Sequence, residues 1–211
     1  QSDVGPEPRT LLDLQQLHVW TDEWAADDRW QRPLRALKDE GLVRAIGISV
    51  NRWQPANVLR ALESGLIDAV QVVYNVFDQS PEDELFPYCQ KHQIGLIARV
   101  PFDEGSLTGT LTATTTWPPG DFRNLYFNPD NLQATLPRVE RLRPVVPAGM
   151  SMPELALRHI LAHPAVATVI PGMRRLTHVE QNLGVSDGQT LPAPLLGELR
   201  KHRWERTVDF E

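Results

Sequence analysis

Residues 43–74 read VRAIGISVNRWQPANVLRALESGLIDAVQVVY. Ala45–Ser49 and Ala69–Tyr74 are short apolar runs, the second rich in β-branched residues that suit a pleated strand. Between them Pro55 opens a helix over Ala56–Ser64, at a position where its missing N–H is harmless, and Gly65 stops it. Strand, crossover helix and strand form the unit from which parallel sheets are built. Both runs are nearly continuous rather than alternating, as expected of strands covered on both faces.

The same unit recurs on either side. Leu11–Val19 is a strand, followed by a helix over Arg29–Glu40 that Gly41 ends. Ser80-Pro81-Glu-Asp-Glu84 predicts a helix start, with Ser80 as cap, running to about His92. Gly95–Arg99 is the next strand. Phe102–Asn131 is a long Gly-, Thr- and Pro-containing segment, of a length that is uncommon unless it covers a ligand. Leu132–Leu142 returns to helix. Ser151-Met-Pro-Glu154 is a capping box leading a helix over Leu155–Ala162. Ala167–Ile170 is the fifth strand, and helices over Leu176–Leu183 and Ala193–Arg203 follow.

This alternation leaves an open doubly wound sheet or a barrel. A dinucleotide-binding open sheet carries Gly-x-Gly-x-x-Gly after its first strand, and no such run occurs, nor does a phosphate-binding P-loop. A (β/α)8 TIM barrel gathers polar residues at the C-terminal ends of its strands. His18, Ser49, Asn51, Gln71, Asn75, Arg99 and Gly172 fall at or just beyond those ends. The expected class is therefore α/β, with five strand–helix units and a C-terminal helix of such a barrel in a single, incomplete domain over 1–211.

The bulk numbers limit the function. A hydrophobic share of 41% with 23% charged residues is ordinary for a globular domain. A net charge of -6 argues against nucleic acid, which needs a basic face. The single cysteine, Cys89, allows no internal disulfide and reads as a buried or neutral thiol in a reducing, cytoplasmic setting. No apolar stretch approaches the roughly 20 residues that cross a bilayer. Gln1–Pro8 has neither the basic region nor the apolar core of a signal peptide.

Some features have a sharp and a bland reading. His159 and His163 are four apart, the spacing of a metal pair, but no Glu follows His159. Surface histidines are the expectation there, and no metal is expected. Asp22-Glu23 and Asp103-Glu104 follow strands as glycosidase acids could, although solvated loop carboxylates are the simpler reading. Trp20 and Trp24 stand where they could wall a substrate pocket, and Trp117, Phe122 and Tyr126 are further candidates that loop packing explains equally well. Arg138, Arg141 and Arg143 read as a solvated basic helix face.

Read in order, five motifs stand out: Leu17-His-Val-Trp20, Val43–Asn51, Val70–Asn75, Ala98-Arg-Val-Pro101 with Gly105-Ser-Leu-Thr-Gly109, and Val169–Arg175 leading to Val179–Leu183. Together, from about Leu11 to His202, they resemble the aldo-keto reductases, NADPH-dependent enzymes on a (β/α)8 barrel. The resemblance implies an oxidoreductase that moves a hydride from NADP(H) to an aldehyde or ketone. It makes His18 the active-site histidine that orients and polarises the carbonyl. Ser49, Asn51 and Gln71 then hold the nicotinamide carboxamide. The family usually has Ser and Asn adjacent, whereas Val50 intervenes here. Gly105, Ser106, Leu107 and Gly109 correspond to the loop around the cofactor pyrophosphate. Gly172, Met173 and Arg174, with Arg175 as second choice, correspond to the site of the 2′-phosphate. Gln181 and Asn182 correspond to the adenine contacts. Arg99 stands where many members stack an aromatic ring on nicotinamide, and a guanidinium plane can stack too.

The family's other catalytic residues, an Asp, a Tyr acid and a Lys, lie on units before the one that carries His18, and none is carried over onto this sequence. Five strands cannot close an eight-stranded barrel, so open edges call for self-association or a complementing segment. The sequence then covers part of a longer protein, a truncated form that pairs, or a fragment. The alternative function is a non-catalytic NADP(H)-binding or assembly module without the Tyr proton donor. A glycosidase-like barrel rests only on the loop acids.

Overall fold

The computed structural model describes residues 11–52 and 54–206. Its strands are β1 (Leu12–Leu17), β2 (Val43–Ser49), β3 (Ala69–Val73), β4 (Gly95–Arg99) and β5 (Val166–Val169). All pairings are parallel, and the strands stand in the order β1-β2-β3-β4-β5. Each strand pairs with the next in sequence, with no reversal. A doubly wound sheet needs that reversal, whereas a one-way progression is how a (β/α)8 barrel is laid down.

The helices are α1 (Gln31–Asp39), α2 (Leu59–Leu62), α3 (Leu85–His92), α4 (Arg123–Tyr126), α5 (Pro129–Leu142), α6 (Met152–Leu161), α7 (Leu176–Gly184) and α8 (Ala193–Arg200). Ile46, Ile48, Val70, Val72, Leu96 and Ala98 pack with Val58, Leu62, Leu85, Phe86, Cys89 and Ile160 in one core. Each fully buried large aliphatic there contributes roughly 1.5–3 kcal/mol. Strand alternation sends Gly47, Ser49, Gln71 and Arg99 to the other face. A second core joins Phe77, Leu107, Leu142, Leu155 and Leu199, fastening the segment after β3 and the loop after β4 to α5, α6 and α8.

Several helix boundaries differ from the sequence expectation, each for a physical reason. Ser80 does not cap an α-helix; Ser80–Glu82 is a 3₁₀ turn and α3 begins at Leu85. Pro87 has no N–H, so a helix can contain it at no cost only in its first turn. In place of a helix over Ala56–Ser64, Pro55–Val58 is a 3₁₀ turn followed by the single turn α2. The segment after Phe102 is less irregular than expected: Asp103–Thr108 is a 3₁₀ turn and α4 follows. Helix α5 starts early because Asn128 Oδ1 accepts the N–H of Asn131 (2.9 Å) with Pro129 in the first turn. At α6 Ser151 Oγ caps the N–H of Glu154 (3.2 Å), while the Glu154 carboxylate turns to Arg158 (2.9 Å).

Three expectations about side chains are corrected. His159 is buried, stacked on Tyr74 with ring centroids 5.7 Å apart, not a surface histidine. Asp103 has 0% exposure and is not a solvated loop carboxylate. In the basic helix face only Arg141 remains simply exposed. Arg138 lies 3.9 Å over the Trp204 ring, and Arg143 pairs with Glu140 and donates to Gly109 O (2.9 Å). Cys89 is buried as expected, and burial pushes its thiol up to about 12. Among the described residues no helix is long and apolar enough to cross a membrane, and no group of three His, Cys, Asp or Glu could hold a metal.

Candidate functional site

On the sheet face opposite the helices, polar side chains from neighbouring strands meet. Gln16 Nε2 on β1 donates to Gln71 Oε1 on β3 (3.3 Å). Ser49, between them on β2, is 1% exposed, and among the described residues neither its hydroxyl nor Gln16 Oε1 has a hydrogen-bond partner. A buried polar atom left unpaired costs about 1–3 kcal/mol. A carboxamide, with an acceptor and two donor hydrogens, matches a hydroxyl flanked by two primary amides. Asn51 contributes differently from its neighbours: its Oδ1 accepts the N–H of Gln54 (3.0 Å) and so shapes the turn before Pro55. Arg99, half-buried at the end of β4, donates to Val50 O (3.2 Å), and its Nε has no partner among the described residues. Burial first, and the nearby Arg52 charge second, hold its pKa below the ordinary arginine value.

His18 is the first residue past β1 and is exposed. The chain beyond it is pinned to the end of β2, because the Trp20 N–H donates to Ser49 O (2.9 Å). Trp20 itself is fully buried. Its ring packs edge-on against Trp24 (5.6 Å) and Trp30 (5.1 Å). The pocket wall expected from Trp20 and Trp24 is thus a packed aromatic cluster, of which Trp24, 45% exposed, reaches solvent. Trp20 is a packing residue, part of the core that joins β2, β3 and β4 to their helices.

A cavity of about 660 Å³ lies beyond β4. Three stretches distant in sequence line it: Phe102, Gly105 and Thr108 after β4, Asp121–Arg123 at α4, and Gly172 and Arg174 before α7 with Gln181 and Asn182 within it. Gly105 (φ 115°) and Gly109 (φ 72°) adopt backbone conformations open to glycine. A Cβ at Gly109 would also stand 3.3 Å from Met152 Sδ. Arg174 is exposed at the rim and forms no ion pair among the described residues. Asn182 is buried and ties the turn together by donating to Gly172 O (3.3 Å). Asp121 is held down at about 2 by its forked pairing with Arg123. Met173 is exposed, whereas Ser106 and Leu107 point away from the cavity, the one to Asp103 and the other into the second core.

Behind this loop is a charge network that the sequence did not disclose. The Asp103 carboxylate accepts from Arg52 (2.6 Å), Arg206 (3.0 Å) and Ser106 Oγ (2.6 Å), and from the Tyr126 hydroxyl. Arg52 also pairs with Asp78 (2.8 Å), whose carboxylate accepts from Asn75 (2.9 Å). Burial opposes ionisation of Asp103, but Arg206 and Arg52 outweigh it and hold the carboxyl below its usual range. Glu104, which lines the cavity, is pushed the other way: burial raises it more than Arg52 lowers it. Nothing local in the sequence marks Asp103 as a hub, since its arginine and tyrosine partners lie at 52, 126 and 206.

Similarity to known proteins agrees with this arrangement. Residues 9–203 match the model of the aldo/keto reductase family, and the chain belongs to that family of oxidoreductases. It is similar to the NADH-specific methylglyoxal reductase of Escherichia coli, 29% identical over 153 residues that cover 71% of this chain and 46% of that protein. It is also similar to the aldo-keto reductase yakc [NADP(+)] of Schizosaccharomyces pombe, 27% identical over 179 residues, 82% and 52% of the two chains. Among solved structures, the holo form of an aldo-keto reductase from Bacillus halodurans superposes with a TM-score of 0.70 at 28% identity, covering 94% of this chain and 61% of that one. The chain spans about half to three fifths of the length of these proteins. NADP(H) is the dinucleotide named for the Schizosaccharomyces pombe relative. The orphaned Ser49 hydroxyl, the glycine loop and the unpaired Arg174 are chemically suited to its carboxamide, its pyrophosphate and its remaining phosphate.

Proposed function

We propose that this chain supplies the cofactor-binding side of an NADPH-dependent carbonyl reductase that acts on an aldehyde or ketone. The cavity carries this reading, because it joins the Gly105–Gly109 loop to Arg174, Gln181 and Asn182, three stretches that the sequence motifs assign to one dinucleotide. NADPH supplies the hydride when bound. Ser49 and Gln71 orient the carboxamide, fixing which ring face meets the substrate. The backbone around Gly105 and Gly109 approaches the pyrophosphate. Arg174 takes the 2′-phosphate by charge and by its forked donors. His18 donates a hydrogen bond to the carbonyl oxygen as negative charge grows there. The test is NADPH oxidation by the complete gene product with a reactive aromatic aldehyde. Turnover that falls at least tenfold in His18→Ala supports the reading. Absence of turnover with cofactor bound removes the catalytic part. A Kd for NADPH no tighter than that for NADH, and unchanged in Arg174→Ala, removes the 2′-phosphate assignment.

A second reading, a non-catalytic NADP(H)-binding or assembly module, is favoured by one observation. The cavity side is braced by the Asp103 network, whereas His18 stands exposed just past β1, which pairs with β2 alone among the described residues. Trp117 stacks on Phe127 (5.2 Å) beside Arg123 and so sits near the cavity. Quenching of tryptophan fluorescence by NADPH without turnover supports this module. Failure to bind any dinucleotide sinks it.

A further inference from the structure

We propose that Arg206, in the segment after α8, is a positioning residue for the dinucleotide cavity: with Arg52 it clamps the buried Asp103 carboxylate and so fixes the Gly105–Gly109 loop. This rests on the cofactor reading above. The loop is unusual at its root. Asp103 (φ 47°), Glu104 (φ 54°) and Gly105 (φ 115°) are consecutive residues on the left-handed side, and two of them carry side chains. Such a backbone persists only where the surroundings over-determine it. The surroundings here converge on one group. Asp103 Oδ2 accepts from Ser106 Oγ (2.6 Å), closing the loop on itself, and from Arg206 Nη2 (3.0 Å). Its Oδ1 accepts from Arg52 Nη2 (2.6 Å) and the Tyr126 hydroxyl.

The two arginines differ in what else they serve. Arg52 is shared with Asp78 (2.8 Å) and Glu104 (3.9 Å). Arg206 pairs with no other carboxylate among the described residues, and its side chain is 1% exposed. It is delivered by a docked tail: the Trp204 N–H donates to Phe77 O (2.9 Å), the Trp204 ring meets Phe77 edge-on (6.1 Å), and the guanidinium groups of Arg138 and Arg206 lie 3.9 and 4.0 Å over that ring. The chain's last described residue thus reaches back to the loop after β4. A buried carboxylate that loses one of two cations keeps its desolvation cost, so the loop that presents it must reorganise.

The test compares Arg206→Met and Arg206→Lys with the parent chain in two measurements, amide hydrogen exchange and NADPH titration followed by tryptophan fluorescence. In Arg206→Met, exchange at residues 104–109 is expected to rise at least tenfold while the amides of β2–β4 keep their protection. The Kd for NADPH rises about tenfold, and Arg206→Lys recovers most of both changes. The clamp is overturned if residues 104–109 keep parental exchange in Arg206→Met, or if strand amides in both variants lose protection as much as the loop does. If the parent chain binds no NADPH, the cofactor reading falls, and the exchange comparison still decides whether Arg206 holds the loop.

Discussion

Beyond β4, the loop that lines the cavity is backed by a carboxylate with 0% exposure and two arginines, whereas at the end of β1 His18 stands in solvent. The contrast follows from place in the sheet. Strand β4 has β3 on one side and β5 on the other, and α5, α6 and α8 close over the loop that leaves it. Among the described residues β1 pairs with β2 alone, so the residue at its tip has a described strand on one side. The loop after β4 is therefore braced by buried charge and by a core, whereas the chain beyond His18 is fastened by the Trp20 N–H on Ser49 O and by the packing of the Trp20 ring.

The largest effect that can break this contrast is expected at Asp103. Asp103→Asn leaves Arg52 and Arg206 without a shared counter-charge and should lower stability by about 3–5 kcal/mol, read from urea denaturation. A loss of less than about 1 kcal/mol would mean that the network does not brace the loop.

A buried histidine away from both halves provides a calibration of about 3 kcal/mol. Burial, and then the charges of His163 and Arg200, hold the His159 pKa down at about 4. An unfolded histidine titrates near 6.5. As pH falls from about 6.5 to 4, the unfolded chain takes up a proton that the folded chain refuses, so the stability present above that window is lost through it. Melting curves of the parent and His159→Phe from pH 7 to 4.5 should diverge, with the variant flatter. Parallel curves would show that His159 is not the group responsible.

At the cavity itself the effect is smaller. Glu104 faces Arg52, Asp103, Arg99 and Arg123, and burial keeps its pKa raised. It repels an incoming phosphate most when ionised, so dinucleotide binding should tighten as pH falls towards its pKa. Glu104→Gln should bind NADPH roughly threefold tighter at neutral pH and lose that pH dependence. Weaker binding by the variant would make Glu104 an acceptor for the ligand instead.

The smallest expected change in stability is at His18. An exposed side chain on an edge strand contributes within about 0.5 kcal/mol, so His18→Ala should melt like the parent while its turnover collapses. A stability loss of 2 kcal/mol would place His18 in the fold rather than at the chemistry.

Much of the fold was legible along the chain. The apolar runs at 45–49, 69–74 and 95–99 became β2, β3 and β4 with shifts of a residue or two at most, because a strand covered on both faces needs apolar side chains whatever its neighbours are. Glycines at 41 and 65 have positive φ and follow the helical segments that they were expected to stop, because only they enter that region freely. Pro87 was readable as well, and its missing N–H, rather than the Ser80 cap, set the start of α3. The segments lining the cavity were marked by glycines and by Arg174. What was not legible is which polar residues would be buried. Asp103-Glu104 and His159 carry no local sign of burial, and Trp20 gives no sign that it packs inward rather than lining a pocket.

The amino-acid sequence by itself determined the parallel strand–helix architecture, which arises from periodicity and turn residues along the chain, and it carried the ordered motifs on which the family resemblance rests. Only the tertiary structure decided that Asp103 would be a buried hub, that Arg206 would reach it across 103 positions, and that Trp20 would be core. Burial and long-range pairing depend on which segments the fold brings face to face, and no local propensity encodes that.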